Sequence, residues 1–353
     1  MRIMKLGIGL AAGALALAVP ATLQAQASDY GSEFDSVLGS EVSDQFDSVL
    51  GTEVRSPQRF DAVYNSDLEK YIASLADGSR GRIGVYAIDL TSGQEIGVLA
   101  DQRFPMASTS KVAIAAVYLA GVDAGKWTLS SEWQLPRPGG AFLTAREHIG
   151  LMISKSCNAC TDAMLNAVGG PQVVNRWMRK TAGIEDFELT RDIATLISED
   201  GRIDPASSVD TRDSATPRAM GQLLAGIYQG KWLSASSRQV IIDAMRSTTT
   251  GKKRMRSALP MSAQLANKTG TLSRTASDIG IFHTKDGHPV AAAIYVTGQS
   301  SSMAAENGNR GLKLEARRMR DARISTITEA LYRGFSDPAG DRRVWADAEY
   351  GGE

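Results

Sequence analysis

Two residues at the start of an apolar helical stretch have the right types and spacing for a nucleophile and its base. Ser108 and Lys111 stand three positions apart, directly before the apolar run from Val112 to Ala120. Positions i and i+3 share one face of a helix, so the hydroxyl and the amine can meet. Apolar surroundings would lower the pKa of the Lys111 amine, which could then accept the Ser108 proton. Chance, or a helix cap beside a surface lysine, also explains a single Ser-x-x-Lys, so other motifs must support it.

Two further short motifs carry groups that suit the same chemistry. The tripeptide Ser-Cys-Asn at 156–158 precedes a predicted helix that ends at the glycine pair 169–170, and Lys-Thr-Gly-Thr at 268–271 opens a late group of strands. Each of them alone has an ordinary explanation as a turn or a cap. The three motifs occur together, in this order, in a chain with a mixed α/β order of predicted elements. This combination makes a shared catalytic role a better explanation than three unrelated turns or caps.

With these three motifs the sequence resembles the serine β-lactamase and penicillin-binding protein superfamily, and most closely the class A β-lactamases. The resemblance covers about residues 60–334. Further matching segments are 158–165, 168–172, 212–217, 249–251 and 256–260. The resemblance implies an exported hydrolase that opens β-lactam rings through an acyl-enzyme, confers antibiotic resistance and takes a small-molecule substrate without a cofactor.

The resemblance also implies a role for each motif residue. Ser108 would be the acylated nucleophile, Lys111 its proton acceptor, and Ser156 the group that passes a proton to the leaving nitrogen. The backbone N–H groups of Ser108 and Thr271 would form the oxyanion hole. The implied substrate-binding residues are Asn158, Lys268, Thr269, Thr271 and Arg254. For Arg254 the alternative interpretation is an exposed cation in the basic run 252–254.

One segment departs from the class A pattern. Class A enzymes carry Arg-x-Glu-x-x-Leu-Asn, whose Glu activates the water that hydrolyses the acyl-enzyme, whereas Ile193 and Ile197 occupy those Glu and Asn positions here. An apolar side chain can neither orient nor deprotonate water, so the family's route of deacylation does not transfer. This loop is also longer than usual, and it contains Asp192, Glu199 and Asp200, none of which the sequence assigns to catalysis.

The residues therefore leave three functions open. The first is a β-lactamase whose deacylation route is uncertain. The second is a D-Ala-D-Ala peptidase or an esterase that uses the same Ser108 and Lys111. The third is a penicillin-binding or sensing module that is acylated and stays acylated.

A Cys-x-x-Cys pair interrupts the second motif. Cys157 stands where relatives usually have Asp, and Cys160 follows three residues later. In an exported protein the pair could form a local disulfide or a redox pair. A thioredoxin-like redox motif requires a βαβ context, which is absent, so the sequence favours two small buried side chains.

The elements that must position these motifs indicate a mixed α/β fold of the α+β type. We expect a sheet flanked by N- and C-terminal helices, with an all-helical insertion at about 108–240. The family resemblance implies that the sheet is antiparallel and the arrangement β-lactamase/transpeptidase-like. The apolar periodicities predict a first helix at Asp61–Ala76 and a closing helix at about Leu312–Tyr332. The predicted strands are Ile83–Leu90, Glu95–Leu99, Ile279–Thr284 and Val290–Thr297.

The N-terminal residues predict export. Residues 1–27 combine Arg2 and Lys5 with an apolar run and a small-x-small site, which is typical of a secretory signal peptide. That run is shorter than the roughly 18 residues of a membrane span, so we expect a periplasmic or secreted protein without a membrane anchor. A linker with a twelve-residue repeat at 28–57, a catalytic domain at 58–336 and a C-terminal tail at 337–353 complete the predicted organisation.

Composition excludes several other classes. The 39 Lys and Arg residues balance 39 Asp and Glu residues, so no net charge attracts a nucleic acid. Two Cys and three widely spaced His residues make a poor zinc set, and we expect neither a metal nor a cofactor. We expect a monomer.

Overall fold

The computed structural model describes the backbone of Val54–Arg55, Tyr64, and residues 66–77 and 79–337. The predicted signal peptide, most of the predicted linker and all but the first residue of the predicted tail lie outside the described residues. Val54–Arg55 forms a short strand, β1, that pairs with Val209–Asp210.

The main sheet contains five antiparallel strands. The strands that follow β1 are β2 Ile83–Asp89, β3 Glu95–Val98, β4 Phe104–Pro105, β5 Glu132–Gln134, β6 Phe142–Thr144, β7 Phe187–Glu188, β8 Val209–Asp210, β9 Ser214–Ala215, β10 Ala266–Leu272, β11 Thr275–His283 and β12 Pro289–Thr297. The order in the five-stranded sheet is β10-β11-β12-β2-β3, which places strands from both halves of the sequence side by side.

Helices cover the sheet and fill the long insertion within it. The described helices are α1 Asp67–Ala76, α2 Lys111–Asp123, α3 Ala145–Ser154, α4 Asn158–Val168, α5 Pro171–Lys180, α6 Ile193–Ser198, α7 Pro217–Gln229, α8 Ala235–Arg246, α9 Met255–Ala258, α10 Met303–Gly308 and α11 Arg310–Ser336. Short 3₁₀ turns lie at Ala107–Ser110 and Met261–Ala263. Across the part of the chain that the structure describes, no helix is both long and apolar enough to span a membrane.

Strand β12 shows why the sheet is buried on both faces. Successive strand side chains point to opposite faces, and here both sets are apolar. Ala291, Ala293 and Tyr295 join the core shared with the helical insertion. Ala292 and Ile294 join the core under the terminal helices α1 and α11. The predicted mixed α/β fold with an antiparallel sheet is therefore confirmed. The insertion, expected to be all-helical, also contains the short strands β5 to β9.

Helix α2 is the centre of the helical insertion. Its residues 112–119 are all buried, on every side of the helix, because α3, α4, α5 and α8 surround it. A helix that is apolar all round is stable only inside such a bundle. This burial extends to the first residue of the helix, Lys111.

Local capping moves two element ends from their predicted positions. The first helix begins at Asp67 rather than at Asp61, because the Ser66 hydroxyl accepts a hydrogen bond from Glu69 N at 3.1 Å and caps it there. Residues 61–63 lie outside the described residues. Strand β2 ends at Asp89, whose carboxylate accepts a bond from Thr91 N at 2.8 Å and starts the turn. The closing helix is longer than predicted, at Arg310–Ser336.

A buried ion network fastens the β10–β11 hairpin to the C-terminal helices. The Glu306 carboxylate on α10 accepts hydrogen bonds from Arg320 on α11 at 2.7 Å and from Arg274 in the hairpin at 3.3 Å. All three side chains are 2% exposed. Arg274 also pairs with Asp204 at 2.9 Å, which connects the network to the long loop before β8.

We expect Glu306→Ala to lower the free energy of unfolding by about 3–5 kcal/mol, since it leaves two buried guanidinium groups without their shared carboxylate. Urea denaturation measures this change. Glu329→Ala is the matched control, because Glu329 pairs with Arg333 at the surface and its loss should cost less than about 0.5 kcal/mol. Equal effects of the two substitutions would contradict the prediction.

Candidate active site

Residues from all three sequence motifs line one cavity. Ser108 lies in the 3₁₀ turn that leads into α2, Ser156 lies in the turn between α3 and α4, and Asn158 is the first residue of α4. Strand β10 supplies Thr269 and Thr271. The cavity lining consists of Ala107, Ser108, Ser156, Asn158, Ile193, Leu196, Ile197, Thr250, Thr269, Thr271 and Leu272. Residues more than 160 positions apart in the sequence thus face the same space.

The Lys111 amine joins the first two motifs. Its nitrogen donates to Asn158 Oδ1 at 2.7 Å, to the Ser156 carbonyl at 2.9 Å and to Ser156 Oγ at 3.3 Å. These contacts use all three N–H donors of an ammonium group. The side chain is fully buried, and the Lys111 backbone N–H donates to the Ser108 carbonyl in the turn.

Burial decides the protonation of this amine. It lowers the pKa of Lys111 to about 7, because a charged ammonium is poorly solvated there, and the Asp162 carboxylate opposes this effect only in part. A neutral amine has two N–H donors and one lone pair. At neutral pH a substantial fraction of Lys111 can therefore accept a proton.

The second lysine, Lys268, approaches the same serine from β10. Its amine donates to Ser156 Oγ at 3.1 Å and to the Thr269 carbonyl at 2.8 Å. Burial and the nearby Lys111 amine hold the pKa of Lys268 well below its usual value, against the Asp278 carboxylate. Two amines thus share the Ser156 oxygen. Because its lone pairs accept from both, the Ser156 hydroxyl proton is left to donate to a ligand.

The residue that follows Ser156 corrects a prediction. Cys157 and Cys160 form a disulfide rather than two separate buried side chains. The first turn of α4 brings their Cα atoms to 5.3 Å, within the range that a disulfide spans. Cys157 Sγ also accepts a bond from Cys160 N at 3.1 Å and caps the helix.

Thr250 is a cavity residue that the motif analysis did not single out. Its hydroxyl lies 2.6 Å from the Thr269 hydroxyl, so the two side chains form a pair of polar groups beside Lys268. The only sequence signal for it was its place within the matching segment 249–251. The hydroxyls of Ser156, Thr250, Thr269 and Thr271 make this side of the cavity suited to an anionic group.

Arg254 lies behind β10 and is not among the residues that line this cavity. It is 6% exposed, so it is not the exposed cation that the basic run also allowed. Its guanidinium donates to Asp321 at 2.6 Å, to the Gly270 carbonyl at 2.8 Å and to Thr271 Oγ1 at 2.8 Å. Its contact with the site therefore passes through Thr271 and the β10 backbone.

The long loop presents apolar side chains to the cavity. Ile193, Leu196 and Ile197 line it, and Asp162 fixes the start of α6 by accepting hydrogen bonds from Ile193 N at 2.7 Å and Ala194 N at 3.2 Å. Among the residues that the structure describes, no carboxylate lines this cavity.

Asp192, Glu199 and Asp200, the loop carboxylates that the sequence did not assign to catalysis, bind protein partners outside this cavity. Asp192 caps α6 by accepting from Thr195 N at 2.7 Å. Glu199 pairs with Arg191 and Arg202, and Asp200 accepts from Ser273 N at 2.9 Å. Each carboxylate is thus held by a protein partner outside the cavity that contains Ser108.

Comparison with known proteins gives one consistent family. Residues 67–333 match the model of the beta-lactamase enzyme family. Beta-lactamase SME-1 of Serratia marcescens is 29% identical over 246 residues, which cover 65% of this chain and 81% of that protein. The carbapenem-hydrolyzing beta-lactamase KPC of Klebsiella oxytoca is 31% identical over 241 residues, covering 63% and 78%. The ancestral GNCA class A beta-lactamase structure matches with a TM-score of 0.67 and 29% identity, covering 76% of this chain and all of that one.

Proposed function

Because the chain belongs to the beta-lactamase enzyme family and is a class A β-lactamase-like hydrolase, we propose that Ser108 opens β-lactam rings through a covalent acyl-enzyme. The observation that carries this proposal is the position of the Lys111 amine. The amine is buried and contacts Ser156 and Asn158. Lys111 itself follows Ser108 by three residues, and its backbone N–H donates to the Ser108 carbonyl. We further propose that residues 1–27 direct export, and that the catalytic domain spans 58–336.

Acylation starts with proton transfer from Ser108 to neutral Lys111. The Ser108 oxygen then bonds to the lactam carbonyl carbon, and the backbone N–H groups of Ser108 and Thr271 stabilise the negative oxygen. When the ring C–N bond breaks, the nitrogen takes the Ser156 proton. The protonated Lys111 amine, 3.3 Å from Ser156 Oγ, returns a proton to that hydroxyl. No net proton is gained or lost in this half of the reaction.

Substrate binding uses the polar side of the cavity. Asn158 Oδ1 accepts a hydrogen bond from the Lys111 amine, so the Asn158 amide N–H groups remain to donate to the carbonyl of a lactam side chain. The substrate carboxylate binds beside Lys268, at the hydroxyls of Thr250 and Thr269. The N–H donors of the Lys268 amine and the neighbouring hydroxyl groups can together bind one carboxylate.

Hydrolysis of the acyl-enzyme is the slow half of the proposed reaction. Ile193 and Ile197 form the wall where a base would have to hold water, and neither can accept a proton. We therefore expect a rapid burst of acylation followed by slow turnover of the lactam. The same apolar wall favours a second candidate function, a penicillin-binding or sensing module in which the acyl-enzyme persists.

We expect the intact mass of the protein to increase by one penicillin molecule within the burst, and Ser108→Ala to abolish that adduct, because it removes the attacking oxygen. Time-resolved mass spectrometry measures formation and decay of the adduct. Ser110→Ala is the matched control: Ser110 is buried in the same turn, bonds to the Ala107 carbonyl at 2.9 Å and should label normally after substitution. An adduct on Ser108→Ala would place the nucleophile elsewhere.

The decay of this adduct separates the candidate functions. Decay over many turnovers supports the β-lactamase, whereas an adduct that persists supports the binding module. If no lactam adduct forms but an acyl ester or a D-Ala-D-Ala peptide is cleaved, the protein is the related esterase or peptidase.

We expect the acylation rate to rise roughly tenfold between pH 6 and pH 8, with a midpoint near the Lys111 pKa of about 7. The sign follows from the mechanism: only the neutral amine accepts the Ser108 proton, and the neutral fraction grows as the pH rises. Stopped-flow measurement of the burst across this range tests it. A rate that is constant from pH 6 to pH 8 would show that Lys111 is not the base.

We expect Ile193→Glu combined with Ile197→Asn to accelerate decay of the acyl-enzyme by about 10²-fold, the usual contribution of a general base. Acylation should change little, because neither side chain takes part in it. The control is Ile193→Gln with Ile197→Asn, which has a similar shape and no carboxylate. If both double variants decay at the same rate, the missing carboxylate does not limit turnover.

A further inference from the structure

The Cys157–Cys160 disulfide lies inside the proton-transfer machinery. Cys157 separates Ser156 from Asn158, and the Lys111 amine makes all its hydrogen bonds to those two neighbours, at 2.7, 2.9 and 3.3 Å. A displacement of the Cys157 backbone would therefore move the Ser156 hydroxyl and the Asn158 amide together.

The backbone at this position needs such a constraint. Ser156 has a φ angle of +57°, in the left-handed region that residues with a Cβ rarely adopt. The covalent bond from Cys157, the next residue, to Cys160 supplies a constraint on this turn.

The other end of the disulfide is anchored firmly. Cys160 is 1% exposed and belongs to the core that also contains Met164 and Leu165 of the same helix. The Cys157 carbonyl accepts hydrogen bonds from Thr161 N at 3.2 Å and Thr161 Oγ1 at 2.7 Å. The disulfide thus ties the Ser156 turn to the interior of the helical insertion.

We infer that the Cys157–Cys160 disulfide positions the Ser156 hydroxyl for protonation of the leaving nitrogen, so that reducing it slows opening of the lactam ring. This inference rests on the proposed function. Cys157 and Cys160 are positioning residues, since they act through Ser156 and do not line the cavity.

The chemistry of Ser156 supplies a selective readout. Opening a β-lactam requires a proton on the departing nitrogen, which Ser156 donates. A phenylboronic acid, in contrast, forms a reversible adduct with the Ser108 oxygen and releases no leaving group. Loss of Ser156 positioning should therefore slow lactam acylation and leave boronic acid affinity almost unchanged, whereas general damage to the site would weaken both.

The experiment compares oxidised and reduced protein. A dithiol reductant gives two electrons and two protons to the disulfide, which becomes two thiols while the reductant becomes a disulfide. The chain has two cysteines in total, so the reductant has one target. We expect the penicillin acylation rate to fall by up to about 10²-fold, the cost of a misplaced reacting group, and the phenylboronic acid Kd to change less than about threefold.

Two double variants serve as controls. Cys157→Ala/Cys160→Ala should acylate as slowly as the reduced protein and should not respond to the reductant. Cys157→Ser/Cys160→Ser keeps a side chain that can cap α4, because serine is a good N-cap residue, but lacks the covalent bond. We expect it to be slow as well. Circular dichroism confirms that each protein is folded at the assay temperature.

Each outcome has a distinct meaning. Reduced protein or a serine double variant that acylates as fast as the oxidised protein overturns the inference and leaves the proposed function standing. Equal losses in lactam acylation and boronic acid affinity, or unfolding on reduction, reveal a general structural role and also overturn it. If the oxidised protein forms no penicillin adduct, the proposed function fails, and the inference fails with it.

Discussion

The whole site depends on the burial of two lysine amines around one serine oxygen. Lys111 and Lys268 reach Ser156 Oγ from opposite elements, and neither side chain is exposed to solvent. Two ammonium groups so close together in a poorly solvated place would repel each other. Burial and mutual repulsion therefore favour neutral amine, and a neutral amine is what the proposed activation of Ser108 requires.

The scaffold makes this burial possible in two ways. Helix α2 is apolar on all sides and is enclosed by four other helices, so the lysine at its first residue cannot reach bulk water. Behind β10, Arg254 and the buried Asp278 carboxylate support the strand that carries Lys268. The pKa of Asp278 is itself raised to about 6 by burial, which shows how poorly solvated this region is.

The cavity divides the proposed reaction into two unequal halves. Its polar side has the donors, the base and the hydroxyls that ring opening needs. Its other side, formed by Ile193, Leu196 and Ile197, offers no group that can activate water. Acidic residues do occur on the same loop, yet helix capping and ion pairs hold them elsewhere. In the proposed reaction, acylation therefore depends on one side of the cavity and deacylation on the other.

The fold class, the three motifs and the absence of the deacylating Glu could be predicted from residue types, because residue identities and i/i+3 spacing are local properties. The start of α1 at Asp67, the disulfide, the buried position of Arg254 and the lowered pKa of Lys111 could not. These features depend on burial and on contacts between distant residues, which arise only when the elements pack, and burial sets whether an amine is charged.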